Sequence, residues 1–287
     1  MRNTKIAFVI LFLLSTAATA AAQFAPVSLK PVLKPGQENR YIVNASVDLR
    51  VSPTGTNGIA ANVHKEITAT VLFRTTDDGA NEAIIEAIAT KATVDGVDKP
   101  TSGNSLVGQK IEYKLDSVGR PGKVTMPQAA SEAGLAEIAL SLTTWSPATE
   151  VSVGQTWGQQ GESLLGDFGL ISAPSFSEIL KGTSISYKLS AVEDNKAIID
   201  GTLSLTPNGT SLLTTKEGRI NVGVVATANG STRIEYDVNA GRIIAATTES
   251  SLEGRLASTP PKPAGEKLQP REGSVVETTR YSVKLVP

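Results

Sequence analysis

The chain has 287 residues, no cysteine and one histidine, with 27 Lys and Arg against 28 Asp and Glu. The missing cysteine excludes disulfides, thiolate metal sites and lipid attachment through a leader cysteine. The balanced charge, with no basic block, speaks against nucleic acid as a partner. Hydrophobic residues make up 40% and aromatics only 5%, and Thr, Ser, Ala, Val and Gly dominate, a mixture that suits strands and tight turns.

The amino terminus carries Arg2 and Lys5, then the apolar run Ile6 to Leu14, then small residues from Ser15 to Ala22. With Ala-x-Ala at Ala18–Ala20 or Ala20–Ala22, residues 1–22 are expected to be a secretory signal peptide. The apolar run is far shorter than the roughly 20 residues of a spanning helix, and no second such run occurs. The expectation is an exported protein, periplasmic or extracellular, without stable membrane insertion.

Residues 23–37 form a lead-in punctuated by Pro26, Pro31, Pro35 and Gly36. A first β unit is predicted over 38–145. Tyr41, Val43, Ala45, Val47, Leu49 and Val51 alternate with more polar neighbours, the period of a half-buried strand. Pro53, Gly55 and Gly58 mark a loop over 52–62. Alternation resumes at Ile67, Ala69, Val71 and Phe73, turns at Asp77-Asp78-Gly79, and returns through Ala83 to Val94. Ile111 to Asp116 and Lys123 to Met126 read as a further hairpin. Ala133, Leu135, Ala136, Ile138, Ala139 and Leu142 recur at three- and four-residue spacing and predict one helix near 129–142, with Ser131 as a cap.

A second β unit is predicted over 146–287. Its strands run from Ile185 to Val192, Ala197 to Leu205, Arg219 to Thr227, Thr232 to Val238, Arg242 to Glu249 and Val275 to Val286. Asn195, Pro207-Asn208-Gly209, Asn229-Gly230 and Asn239-Ala240-Gly241 supply turn chemistry between them. Residues 258–274 read as an exposed excursion, and the Gly-rich stretch 158–182 has no clear period.

Three segments recur in the same order in both halves. Lys34 to Tyr41 pairs with Ser152 to Trp157, Ala83-Ile84-Ile85-Glu86 with Ala197-Ile198-Ile199-Asp200, and Ile111 to Asp116 with Ile234 to Asn239. An internal duplication follows, with the units joined near 143–153. The fold class is mainly β: two related antiparallel units, half-barrel or sandwich-like, with one short helix.

At Gly36…Tyr41, Val151…Gly154…Trp157 and Tyr236-Asp237-Val238-Asn239-Ala240-Gly241-Arg242 the chain resembles a loosely defined group of secreted bacterial proteins of unknown function. Many members of that group carry a lipoprotein cysteine, and this chain does not. The group is similar to periplasmic lipoprotein-carrier half-barrels. That resemblance implies a concave β surface able to hold an acyl chain, and it transfers no functional residue.

Catalytic equipment is sparse. His64 is the only histidine, sits at the start of a strand, and has no Gly-x-Ser-x-Gly elbow to serve. One His and no Cys leave little for zinc. Asp77, Asp78, Asn81 and Glu82 offer hard oxygens for calcium, but without calcium-loop spacing, and a polar hairpin tip is the plainer reading. Trp145 and Trp157 are expected to pack in a core or seam. No dinucleotide or phosphate-loop fingerprint occurs. No catalytic, cofactor or metal residue is therefore assigned, and no cofactor is expected.

The reading reached is an exported, non-catalytic binding or carrier module for an apolar ligand. The alternative is a structural or interaction protein of the cell envelope that uses sheet edges and loops. The partner is then a lipid-like ligand or another envelope protein. A hydrolase remains a minor reading. A membrane β-barrel is disfavoured by the lack of aromatic girdles and by a final Pro287.

Overall fold

The computed structural model describes residues 26–32, 34–54, 58, 60–77, 79–99, 106–115, 121–125, 145–160, 184–206, 208–215, 218–259 and 271–287. The strands are β1 (Glu38–Thr54), β2 (Ala61–Thr75), β3 (Asn81–Val94), β4 (Val97–Asp98), β5 (Lys110–Leu115), β6 (Pro121–Thr125), β7 (Thr156–Gln160), β8 (Ser184–Glu193), β9 (Lys196–Leu205), β10 (Asn208–Thr215), β11 (Gly218–Asp237), β12 (Arg242–Thr259) and β13 (Arg271–Val286). All belong to one antiparallel sheet, ordered β6-β5-β3-β2-β1-β13-β12-β11-β9-β8-β7, with β4 beside β3 and β10 beside β11. The expectation of a mainly β, half-barrel-like architecture is met.

Two meanders run in succession, β1 to β6 and β7 to β13. Each begins at a glycine turn of the same construction. Gly36 and Gly154 have φ of 74° and 89°, a region that favours glycine. Gln37 and Gln155 donate their backbone N–H groups to Lys34 and Ser152, at 2.9 and 3.0 Å. Each glycine N–H then reaches the second strand of its meander, Gly36 to Thr75 and Gly154 to Leu189. The pairing of β1 with β13, in continuous register from Arg40↔Val286 to Thr54↔Glu272, joins the two meanders into one sheet.

Register and alternation together place residues in rows across the inner face. One row runs Leu189, Ile199, Ile234, Ala246, Val283, Val43 and Ala69 through seven neighbouring strands. None of these is more than 8% exposed. Trp145, Leu29 and Val151 belong to the same cluster, and Trp145 meets Tyr236 edge-on at 5.1 Å. Both meanders thus contribute to one hydrophobic core at one end of the long strands.

The lead-in is more than a tether. Val27 and Val151 exchange backbone hydrogen bonds at 2.8 and 3.0 Å, the Val32 N–H donates to the Gly241 carbonyl, and the Tyr236 hydroxyl donates to the Lys30 carbonyl at 2.6 Å. Leu29 is buried to 1% exposure. Prolines deny this segment a place in the ladder, but its backbone groups still find partners across the core.

Several sequence expectations need correction. Asn229-Gly230 is not a turn, because β11 runs unbroken through it. At 20 residues β11 is about three times the usual strand length. Gly230 serves a close approach to β12: a Cβ there would lie 2.6 Å from the Glu249 carbonyl oxygen. Pro207-Asn208-Gly209 was expected as punctuation, yet Asn208 opens β10. The 52–62 loop is shorter than expected, since β1 reaches Thr54 and β2 starts at Ala61. The 258–274 excursion likewise shrinks, with β12 ending at Thr259 and β13 starting at Arg271. The helix expected near 129–142 lies outside the described residues, as do residues 1–25 and most of 158–182.

Two stability outcomes follow. Trp145→Ala should cost about 3–5 kcal/mol by emptying the packed end, read as a lowered denaturant midpoint. Gly254→Ala should cost about 1–3 kcal/mol, because its Cβ would lie 2.4 Å from the Ala226 Cβ and from the Val225 carbonyl oxygen. A Gly254→Ala protein as stable as the parent would show that the strands are not this close.

Candidate functional site

Beyond the packed row the inner face changes character. The next row is Tyr187, Gly201, Thr232, Thr248, Tyr281, Ala45, Ile67 and Thr90. The Thr248 hydroxyl donates to Thr232 Oγ1 at 2.8 Å, and Thr232 donates to the Thr247 carbonyl. Gly201 leaves room for its neighbours, since a Cβ would lie 2.4 Å from Thr232 Cγ2 and 2.8 Å from the Tyr187 ring. Tyr187 in turn stacks on Trp157 at 5.8 Å.

Further along come Ile185, Leu203, Gly230, Ser250, Thr279, Val47, Lys65 and Ala92, every one of them only partly buried. Then come Ala228, Leu252, Glu277, Leu49, Val63 and Val94. Val51, Val275 and Ala226 close the series and are buried again. The result is a trough whose floor mixes aliphatic side chains with hydroxyls. Filled at one end by core, it carries two charged residues, Lys65 and Glu277.

The parity of those two charges is fixed by pairing. Lys65 stands opposite Val47 and Ala92, and the same strand buries Ile67 and Ala69 with no register shift between. Glu277 stands opposite Leu49 and Leu252, on a strand that buries Val275 and Val283. Thr279 Oγ1 donates to Glu277 Oε1 at 3.1 Å. Neither charge takes part in an ion pair among the described residues, whereas Arg40, Arg74, Lys110, Lys196, Arg233 and Arg280 all do.

A hollow of about 410 Å³ lies across β2, β1, β13 and β12, where the packed core gives way. Ala45, Ile67, Thr248 and Tyr281 line it together with polar residues of the opposite parity, among them Asn44, Glu66, Glu249 and Arg280. It is open, and most of its lining is polar and of the outward parity.

The residues weighed from sequence are scattered. His64 faces outward, with Nδ1 2.7 Å from Asp48 and Nε2 3.5 Å from Glu66. The hydrogen bond to Asp48 raises its pKa above the usual 6.5, against a smaller opposing effect of burial. Asn81 is buried and accepts from the Thr75 hydroxyl at 2.9 Å. Glu82 is buried between Arg74 and Lys110, at 2.6 and 3.1 Å. Its burial works to raise its pKa, but the two cations outweigh that and lower it. Glu82 is therefore committed to an ion triad on the outward face, beneath the partly exposed Arg74 and Lys110, and no cluster of metal-ligating side chains occurs among the described residues. Trp145 is buried, and the Trp157 Nε1–H donates to the Trp145 carbonyl at 2.8 Å, so both indoles sit in the seam between the segments. Burial raises the pKa of Tyr41, Tyr113, Tyr187 and Tyr236, which keeps their hydroxyls protonated and available as donors.

Sequence reading did not find Lys65 or Glu277. The signal was there, since Val63, Lys65 and Ile67 share one parity, but the loop expected over 52–62 hid the start of β2.

No family model matches the chain. No curated protein matches it. Among solved structures, a lipovitellin structure described by its lipid–protein interactions aligns at a TM-score of 0.55 and 14% identity, covering 89% of this chain and 26% of that one. The chain thus spans about a quarter of the length of that protein, and the likeness is one of fold. A LolA superfamily protein from Nitrosomonas europaea aligns with 15% identity over 89% of each chain, at a TM-score of only 0.18. Pseudomonas aeruginosa OccK5 aligns at a TM-score of 0.23 and 6% identity, covering 89% of this chain and 99% of that one. Scores this low carry no argument.

The His64 setting has a testable consequence. Its raised pKa means that the Asp48 contact stabilises the fold fully below the unfolded value near 6.5, and that this contribution is lost as pH rises through the folded value. Proton NMR should show the His64 ring titrating above 6.5 and moving down in Asp48→Asn. An unchanged titration in that variant would remove Asp48 as the cause.

Proposed function

We propose that this protein is an exported, non-catalytic binding or carrier module of the cell envelope, and that the inner trough of its sheet receives an apolar ligand. The observation that carries this reading is the contrast between rows. Val43 and Val283 are at most 2% exposed, while Val47, Leu49, Val63, Leu203 and Leu252 on the same face stay half-buried. Aliphatic side chains on the concave side of a sheet gain about 25 cal/mol for each Å² removed from water, so a chain-like apolar ligand has area left to cover. The fold-level likeness to a lipovitellin structure concerned with lipid–protein interactions agrees with this reading. We also read the two meanders as copies of one unit, which the matching Gly36 and Gly154 turns support.

The non-catalytic part rests on His64: the one imidazole of the chain is held by Asp48 and Glu66 on the outward face, away from the trough. A second reading, an interaction protein working by strand addition, is favoured by the two outer strands of the sheet, β6 and β7, each paired on one side only among the described residues.

A neutral fluorescent apolar dye such as N-phenylnaphthylamine should bind the purified protein, and mass spectrometry of a solvent extract should find a co-purifying amphiphile. Leu49→Asp should weaken dye binding about tenfold with the melting temperature little changed. No dye binding and no extracted amphiphile would overturn the carrier reading in favour of strand addition.

A further inference from the structure

We propose that the ligand of the trough is an amphiphile with an anionic head, and that Lys65 is the residue that receives the head; this rests on the binding reading above. Lys65 stands out because everything around it argues for an aliphatic side chain. Its cross-strand partners on the same face are Val47 and Ala92, and its neighbours along the strand are Val63 and Ile67. A charge in such a place is normally neutralised by a partner. Among the described residues the Lys65 ammonium has no acidic side chain as partner. The neighbours His64 and Glu66 lie on the opposite face and are engaged with each other and with Asp48.

Among the described residues the carboxylate that shares its face is Glu277, one row further out and two strands away across β1. That placement gives the trough a direction. An anion at Lys65 is repelled by Glu277 on the outer side and so favours the inner side, with Thr279 and Ser250 in the row of Lys65 and Thr248 one row further in. The half-buried aliphatic residues Leu203, Ile185, Leu49 and Leu252 then lie on either side for the hydrocarbon. A neutral apolar ligand gains nothing from Lys65, and a cationic one is repelled. Charge complementarity therefore selects an acyl chain that ends in a carboxylate or a phosphate.

The test compares dodecanoate with dodecanol, each displacing bound N-phenylnaphthylamine at neutral pH, on the full folded protein. Dodecanoate should bind about tenfold more tightly than dodecanol. Lys65→Met should remove that preference by weakening dodecanoate far more than dodecanol, and Lys65→Arg should retain it. Glu277→Gln should strengthen dodecanoate binding about two- to threefold without affecting dodecanol. Dodecyl phosphate, run alongside, tells a carboxylate head from a phosphate head. Equal binding of acid and alcohol, or a preference that survives Lys65→Met, overturns the assignment of the head and leaves the trough intact. Failure of dye, acid and alcohol alike overturns the binding reading itself.

Discussion

The structure depends on one face of a single long sheet being densely filled at one end and only half covered along its middle rows. In an antiparallel sheet opposite residues share a face, so a row of seven aliphatic side chains from Leu189 to Ala69 closes into core as soon as the strands pair. Trp145, Leu29 and Val151 complete that end. The strands do not stop where the core stops. They carry the same alternation outward, and there the residues become Thr, Ser and Gly interspersed with Val and Leu. The trough is thus a continuation of the core pattern without core filling.

Much of this fold was legible in the sequence. Alternation is a local signal, and wherever it was strict, as in Tyr41 to Val51 or Val275 to Val286, a strand stands at that place. Turns requiring positive φ were equally legible: Gly36, Gly79 and Gly241 all adopt it. The failures arose where one residue type has two physical uses. Asn229-Gly230 has the composition of a tight turn, but in β11 the glycine removes a side chain that would strike Glu249. Pro35 and Pro31 bar the lead-in from a ladder, yet nothing local says that Leu29 will be packed beneath Trp145 and beside Ser146, whose hydroxyl reaches the Leu29 carbonyl.

The candidate site was less legible than the fold. No catalytic motif marks it, and its two distinctive members are an ordinary lysine and an ordinary glutamate. Lys65 and Glu277 gain meaning only from register. One is set by the pairing of β2 with β1 and the other by the pairing of β13 with β1, and the latter contact links residues at opposite ends of the chain. Periodicity within one segment cannot report such a juxtaposition. The same holds for Glu82, whose acidic neighbours Asp77 and Asp78 suggested an oxygen-rich tip, while its real partners Arg74 and Lys110 come from the strands on either side.

The β1–β13 seam also governs how the chain must come together. A polypeptide emerging amino end first finishes its opening meander long before residues 271–286 exist, so the free side of β1 stays an open template of amide donors and carbonyl acceptors through most of synthesis. Seam formation waits on loop closure across nearly the entire molecule, a slow step by the physics of distant contacts. In that interval a half-built sheet can recruit a strand from another copy as readily as its own. A holding factor that shields β1 until the last segment arrives would therefore act on yield without altering the finished protein.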